Sequence, residues 1–247
     1  YDLPGGDTAL DGLSIGYSAD FGFVPGSLPS AVRQRLKSAL DGLEAMGATI
    51  IEVDSPLENP TELMRQLWCL ALAVAIAPLS RQERDQLDAP LRRLGEEGLT
   101  MTGVHYRHLE AERGRFFRAM REWSGNIDLL VTPQVLVPPF AAGHEVPVES
   151  DYTRWWEWSP FTYPINLTQQ PAASIPVGTD DQGLPVSMQL IGPRFGDATV
   201  LRVAQAYERY RSPSTRQPPD LVRVHSTTSP ASGPEPSTFS TSVSIPN

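Results

Sequence analysis

Thr162, Asn166 and Gln169 stand among apolar residues between the corners set by Pro160 and Pro171, where a scaffold can aim polar side chains at a substrate. Just ahead of them Trp155, Trp156 and Trp158 fall within four positions, followed by Phe161 and Tyr163. Rings this large are costly to leave in water, so at least two of the three tryptophans should face either a core or an apolar substrate cleft. Other reactive residues carry less. His105 and His108 lie three apart on an expected helix with Glu112 one turn beyond, but no Cys or Asp cluster completes a metal site. They read as a solvated helix face, and no metal is expected. Cys69 sits inside the apolar run Leu67 to Ala77 and reads as a small buried hydrophobe, not a nucleophile. Asp180-Asp181 beside Gln182-Gly183 read as a turn and not as paired carboxylates. Gly5-Gly6 has no following Lys-Ser/Thr and no preceding strand, so it is no phosphate loop, and no Gly-x-Ser-x-Gly elbow seats a hydrolase nucleophile. No cofactor is expected.

The elements that must position these residues are legible from period and punctuation. Leu13 to Ser18 alternates apolar with polar or small residues and is an expected strand. Val32, Leu36, Leu40, Leu43 and Met46 form a helical stripe over 31–46, with Ser27 or Ser30 as cap and Gly47 as stop. A strand at 48–53 completes a strand–helix–strand unit, which predicts a parallel pair. Asn59-Pro-Thr-Glu opens a helix to about Leu79 that is apolar nearly all round and so expected to be buried. Ser80 to Glu83 is a capping box for a further helix, and Thr102 caps a long one over 103–123. Strands are expected at 127–132, 172–177 and 186–191, and a helix over 198–210 capped by Asp197. The Pro-rich, aromatic stretch 134–158 has no clear period, and a loop of that length is usually functional or mobile.

The 247 residues carry 40% hydrophobic and 20% charged side chains, as an ordinary globular chain does, with a net charge of −9. The acidity argues against nucleic acid or an anionic membrane surface as partner. The apolar run around Cys69 is short of the ~20 residues of a membrane span, and no signal peptide is visible. One cysteine allows no internal disulfide, which fits a reducing, cytoplasmic compartment. The expected domains are a Gly/Asp-rich connector at 1–12, one folded portion at 13–211 and a tail at 212–247. From Ser226 onward about two-thirds of that tail is Ser, Thr or Pro, a composition expected to stay disordered. The first residue is Tyr1, so the chain is read as processed or as a fragment.

Asp128-Leu-Leu-Val-Thr-Pro, Pro160-Phe-Thr-Tyr-Pro-Ile-Asn-Leu-Thr-Gln-Gln-Pro-Ala, Gly183-Leu-Pro-Val-Ser-Met-Gln-Leu-Ile-Gly and Phe195-Gly-Asp-Ala-Thr-Val-Leu occur in that order. Together the segments resemble the C-terminal half of the amidase signature enzymes, from about Leu10 to Tyr210. The resemblance implies an α/β fold with a mixed, twisted sheet covered on both faces by helices. It implies amide hydrolysis through a Ser–cis-Ser–Lys triad, with backbone N–H groups holding the oxyanion. The family carries that triad in an upstream Gly/Ser-rich half. No Gly-Gly-Ser-Ser-Gly-like stretch occurs in these residues, and the single lysine, Lys37, is in no such context. No catalytic residue of the triad maps onto the chain. What does carry over is the wall of the substrate site: Thr162 approaching the acyl pocket, with Trp158 and Phe161 beside it. The amidotransferase members of the family carry an acidic residue just upstream of this threonine. Here that stretch is Trp158-Ser-Pro-Phe, which favours an apolar or aromatic amide. The expected partners are therefore a small-molecule amide and a missing N-terminal half or partner chain, with a homodimer left open. The readings are three: an amidase portion that is inactive alone, a catalytically inert binding or scaffold protein, and a chain like the amidase component of a glutamine-dependent tRNA amidotransferase.

Overall fold

Residues 10–53 and 57–211 are described by the computed structural model. The expected connector, except for 10–12, and the expected tail at 212–247 lie outside the described residues.

Five short strands form one sheet: β1 (Ser14–Tyr17), β2 (Thr49–Glu52), β3 (Leu129–Pro133), β4 (Ala172–Thr179) and β5 (Pro185–Ile191). Their order is β2-β1-β3-β5-β4. The two neighbours of β1 run parallel to it, and β5 is antiparallel to both β3 and β4, so the sheet is mixed. The β1–β2 pair is joined by α1 (Ser30–Ala45), the crossover that a parallel pair requires.

Alternation along the strands sends side chains to two cores. Leu129 and Val131 of β3, with Met188 and Leu190 of β5, pack under α1 and α8 (Asp197–Tyr210). Leu130 and Ile191 face the other way, into a core shared with α2 (Thr61–Ile76), α4 (Ala89–Leu99), α5 (Gly103–Ser124), α6 (Trp155–Trp158) and α7 (Tyr163–Thr168). Helices thus cover both faces.

Local chemistry accounts for the starts of three helices. Ser80 and Glu83 make the expected capping box, with Ser80 N donating to Glu83 Oε2 at 2.8 Å and Glu83 N to Ser80 Oγ at 3.3 Å. The helix it opens, α3 (Arg81–Arg84), is a single turn. The chain restarts as α4, whose first turn is capped by Asp88. Thr102 Oγ1 accepts from His105 N at the start of α5, as expected. Asn59 Oδ1 accepts from both the N–H and the hydroxyl of Thr61, so α2 begins one residue later than the Pro60 start read from the sequence. Two expected caps are corrected. Pro29, with its φ already near helical, holds the cap position of α1, and neither Ser27 nor Ser30 caps it. Gly196 precedes α8, and Asp197 is its first residue and not its cap.

The larger correction concerns α2. Met64, Cys69, Ala73 and Ile76 are buried, but Trp68 is 44% and Val74 77% exposed. An apolar circumference was read as full burial, yet only one side is covered. That side is covered closely: a Cβ on Gly98 of α4 would collide with the Cys69 carbonyl, so glycine lets α4 lie against α2.

Candidate functional site

The carboxyl end of β3 is where a side-chain amide ties the sheet to the segment ahead of α7. Thr132 and Gln189 stand opposite each other in the β3–β5 register. The buried Gln189 Nε2 donates to Thr132 Oγ1 at 3.1 Å and to the carbonyl of Phe161 at 2.9 Å. Thr132 Oγ1 donates onward to the Pro133 carbonyl. Further ties hold the same segment: Leu136 N donates to the Trp158 carbonyl, and the hydroxyls of Ser159 and Thr162 donate back to the Trp155 and Ser159 carbonyls.

Helix α7, which begins just after Thr162, is held at both ends. Thr61 Oγ1 lies 2.6 Å from Tyr163 Oη and also donates to Asn59 Oδ1, so the tyrosine hydroxyl is the donor in their bond. Burial pushes the Tyr163 phenol up from its ordinary value, which keeps that donor proton in place. At the far end Arg113 Nε donates to the Leu167 carbonyl at 2.8 Å, and the Arg113 guanidinium lies 3.8 Å from Glu110.

Between α2, α5, α6 and α7 opens a cleft of about 580 Å³, within the usual range for small-molecule sites. Its walls are aromatic and aliphatic: Trp68, Leu67 and Val74 from α2, Tyr106 from α5, Trp155, and Tyr163. Trp68 and Trp155 meet edge to face at 6.1 Å between ring centres. Asn166, Glu110 and Arg113 supply the polar groups. A second cleft of about 280 Å³ lies beyond the end of β3, lined by Gln134, Val135, Pro138, Phe140, Trp158 and Val186 among others.

The three residues expected to form the wall are held in one segment but face different ways. Trp158 lines the second cleft, with its Nε1 donating to the Glu145 carbonyl and its ring edge-on to Phe140 at 5.5 Å. Phe161 is fully buried and packs on Phe21 at 5.7 Å. Thr162 is half-buried, and its hydroxyl is engaged with Ser159 at the entrance to α7. Trp155, Tyr163 and Asn166, from the same stretch, are the residues that reach the larger cleft. Sequence reasoning missed Trp68, Tyr106 and Gln189. A tryptophan in a helix apolar all round was the available signal for Trp68, but it does not say which face is left open.

The other chemically suggestive residues are otherwise occupied. His105 Nε2 is hydrogen-bonded to Gln66 Oε1, and among the described residues no three His, Cys, Asp or Glu side chains converge as metal ligands. Burial, with the nearby Glu97 charge adding to it, pushes the Cys69 thiol up to about 11. Lys37 pairs with Asp41 at 2.9 Å on the exposed side of α1. Asp180 Oδ1 accepts from the N–H groups of Gln182 and Leu184, the expected turn. No helix among the described residues is long and apolar enough to cross a membrane.

Comparison with known proteins matches the Amidase family to residues 4–201. A glutamyl-tRNA(Gln) amidotransferase subunit of Chloroflexus aggregans is 32% identical, over 87% of this chain and 48% of its own length. An acylamidase of Rhodococcus erythropolis is 28% identical, over 87% of this chain and 46% of its own. The chain spans about half the length of these relatives. Among solved structures, an amidase superposes with a TM-score of 0.72 at 24% identity, covering 85% of this chain and 47% of that one. A bacterial aryl acylamidase superposes at 0.69 and 23% identity, covering 81% and 44%.

Proposed function

The chain belongs to the amidase signature family, and from that premise we propose that it forms the substrate-facing wall of an enzyme that hydrolyses apolar or aromatic carboxylic amides. The observation that carries the reading is the 580 Å³ cleft beside α7. Its aromatic walls suit an apolar acyl or aryl group, and Asn166 offers a carboxamide at its edge. Hydrolysis adds water across the acyl C–N bond and yields a carboxylate and an amine. The nucleophile and its base come from residues outside those described. That part of the reading is supported by Lys37, the one lysine of the sequence, which is paired to Asp41 on an exposed helix face and lines neither cleft. The amidase wall then does positional work: it desolvates the apolar group and holds the scissile bond against a nucleophile supplied by the other half of the site.

A role in an amidotransferase is the second reading, favoured by the 32% identity to the Chloroflexus aggregans protein. An amino-acid amide needs an acidic anchor for its ammonium group. The stretch Trp158 to Phe161 provides none, and Glu110 in the cleft already faces Arg113.

The test is calorimetric binding of an aromatic acyl amide such as benzamide to the purified chain. Trp68→Ala removes the largest exposed ring of the wall and should weaken binding about tenfold, while amino-acid amides such as glutamine should not compete. Binding that Trp68→Ala leaves unchanged would overturn the assignment of this cleft. Turnover of the amide by the chain alone, abolished in Thr162→Ala, would overturn the placement of the nucleophile elsewhere.

A further inference from the structure

We propose that Trp68 is a specificity-determining residue of the large cleft: its ring is a partition that stops an apolar group after one ring and closes off a third cleft of about 290 Å³. What the ligand is rests on the amidase reading above. Where the ligand ends rests on geometry alone.

The third cleft lies between α2, α4 and the residues leading into α6, with Leu72, Pro90, Leu91, Leu94, Glu145 and Arg154 in its walls. Trp68 and Trp155, edge to face at 6.1 Å, line both this cleft and the large one. The helical period accounts for the place of Trp68, since successive residues turn by about 100°. Leu67, Ala71 and Val74 share the side of α2 that faces the large cleft, and Cys69, Ala73 and Ile76 the buried side. Around the helix axis Ala71 lies about 60° from Trp68 in one direction, and Leu72, on the third cleft, about 40° in the other. Trp68 thus stands on the ridge between the two clefts.

One half of the partition is fixed and the other is replaceable. Trp155 is held by its N–H, which donates to Glu145 Oε1, and its ring meets Trp156 edge to face at 5.6 Å. Trp68 is 44% exposed, and among the described residues Trp155 is its one ring partner. Removing the Trp68 ring therefore opens a passage without uncovering the buried side of α2. Joined, the two clefts would still fall within the ~300–1,000 Å³ of small-molecule sites.

The third cleft suits a continuation of the same apolar body. Its charged groups are engaged: Arg154 pairs with Glu145 at 3.1 Å and lies 4.6 Å over the Trp156 ring, and Asp88 caps α4. Leu72, Pro90, Leu91 and Leu94 offer apolar surface that a second ring would cover. The indole of Trp68 occupies the way to it.

Ligand-observed NMR on the full chain tests this with two probe pairs, benzamide with 4-phenylbenzamide and benzyl alcohol with 4-phenylbenzyl alcohol. The natural chain should prefer the one-ring member of each pair. Trp68→Ala should weaken the one-ring probes about tenfold and strengthen the two-ring probes about three- to tenfold, which inverts the preference. A damaged fold would not gain affinity for the longer probe. Trp68→Phe keeps a ring and should restore the original order. In the Trp68→Ala background, Leu91→Trp refills the third cleft and should remove the gain. Two-ring probes that gain nothing from Trp68→Ala, a gain that survives Leu91→Trp, or binding by none of the four probes would overturn the partition. An inversion seen equally with the alcohols, with the amides binding no better than they do, supports the partition and counts against an amide as the ligand.

Discussion

Gln189 is the residue whose replacement should reach furthest through this structure. Gln189→Leu keeps the side-chain size and removes both donors. The Phe161 carbonyl is fully enclosed and accepts from Gln189 Nε2, so it is left buried and unpaired, at about 1–3 kcal/mol. Thr132 Oγ1 keeps its bond to the Pro133 carbonyl and loses only its acceptor role, a net hydrogen bond of about 1 kcal/mol. Added apolar burial by leucine returns about 1 kcal/mol. The net expectation is a loss of about 1–3 kcal/mol. Urea unfolding followed by tryptophan fluorescence reads this directly: with a slope of about 2 kcal/mol per molar urea, the midpoint should fall by about 0.5–1.5 M at unchanged slope. A double-mutant cycle with Thr132→Val isolates the side-chain pair and should return a coupling of about 1 kcal/mol. A midpoint shift below about 0.2 M, or a coupling near zero, would refute the argument that this amide pins the Phe161 segment to the sheet.

Two further expectations concern backbone strain and pH. Gln169 ends α7 in the left-handed region at φ 56°, ψ 35°, so Gln169→Gly should stabilise the chain by a net of about 0.5–1 kcal/mol, and a melting temperature that stays or falls would count against it. The Cys69 thiol is raised from 9.0 to about 11, so between those values the folded chain keeps a proton that the unfolded chain has lost. Stability should then decline as pH rises through that window, by up to about 1.4 kcal/mol per pH unit, and Cys69→Ala should remove that portion of the slope. Comparing the two chains cancels the raised tyrosines Tyr17, Tyr152, Tyr163 and Tyr207, which both retain, and identical slopes would sink the assignment.

Contacts between near neighbours were readable in advance. The Ser80–Glu83 box, the Thr102 cap and the Asp180 turn each join residues two to four apart, so the chemistry of a few adjacent side chains decides them. The parallel β1–β2 pair followed from strand, helix and strand in succession, and the order of the motifs around Pro160 and Gly183 pointed to the family before any geometry. Misreadings arose where two local solutions compete: a serine on either side of Pro29, or an aspartate one residue inside a helix, caps nothing when the backbone turns elsewhere.

The sequence by itself determined the five strands, the helices α1, α2, α5 and α8, and the family. Only the tertiary structure decided which of the aromatic rings around Pro160 face a cleft and which face a core. Trp155, Trp158 and Phe161 have the same apolar character and lie within seven positions, yet one lines the large cleft, one the small cleft and one is sealed against Phe21. Hydrophobicity drives a ring out of water without specifying a direction. The direction comes from contacts distant in sequence: Gln189 holding Phe161 across 28 residues, Thr61 holding Tyr163 across 102, and an α2 covered on one side only.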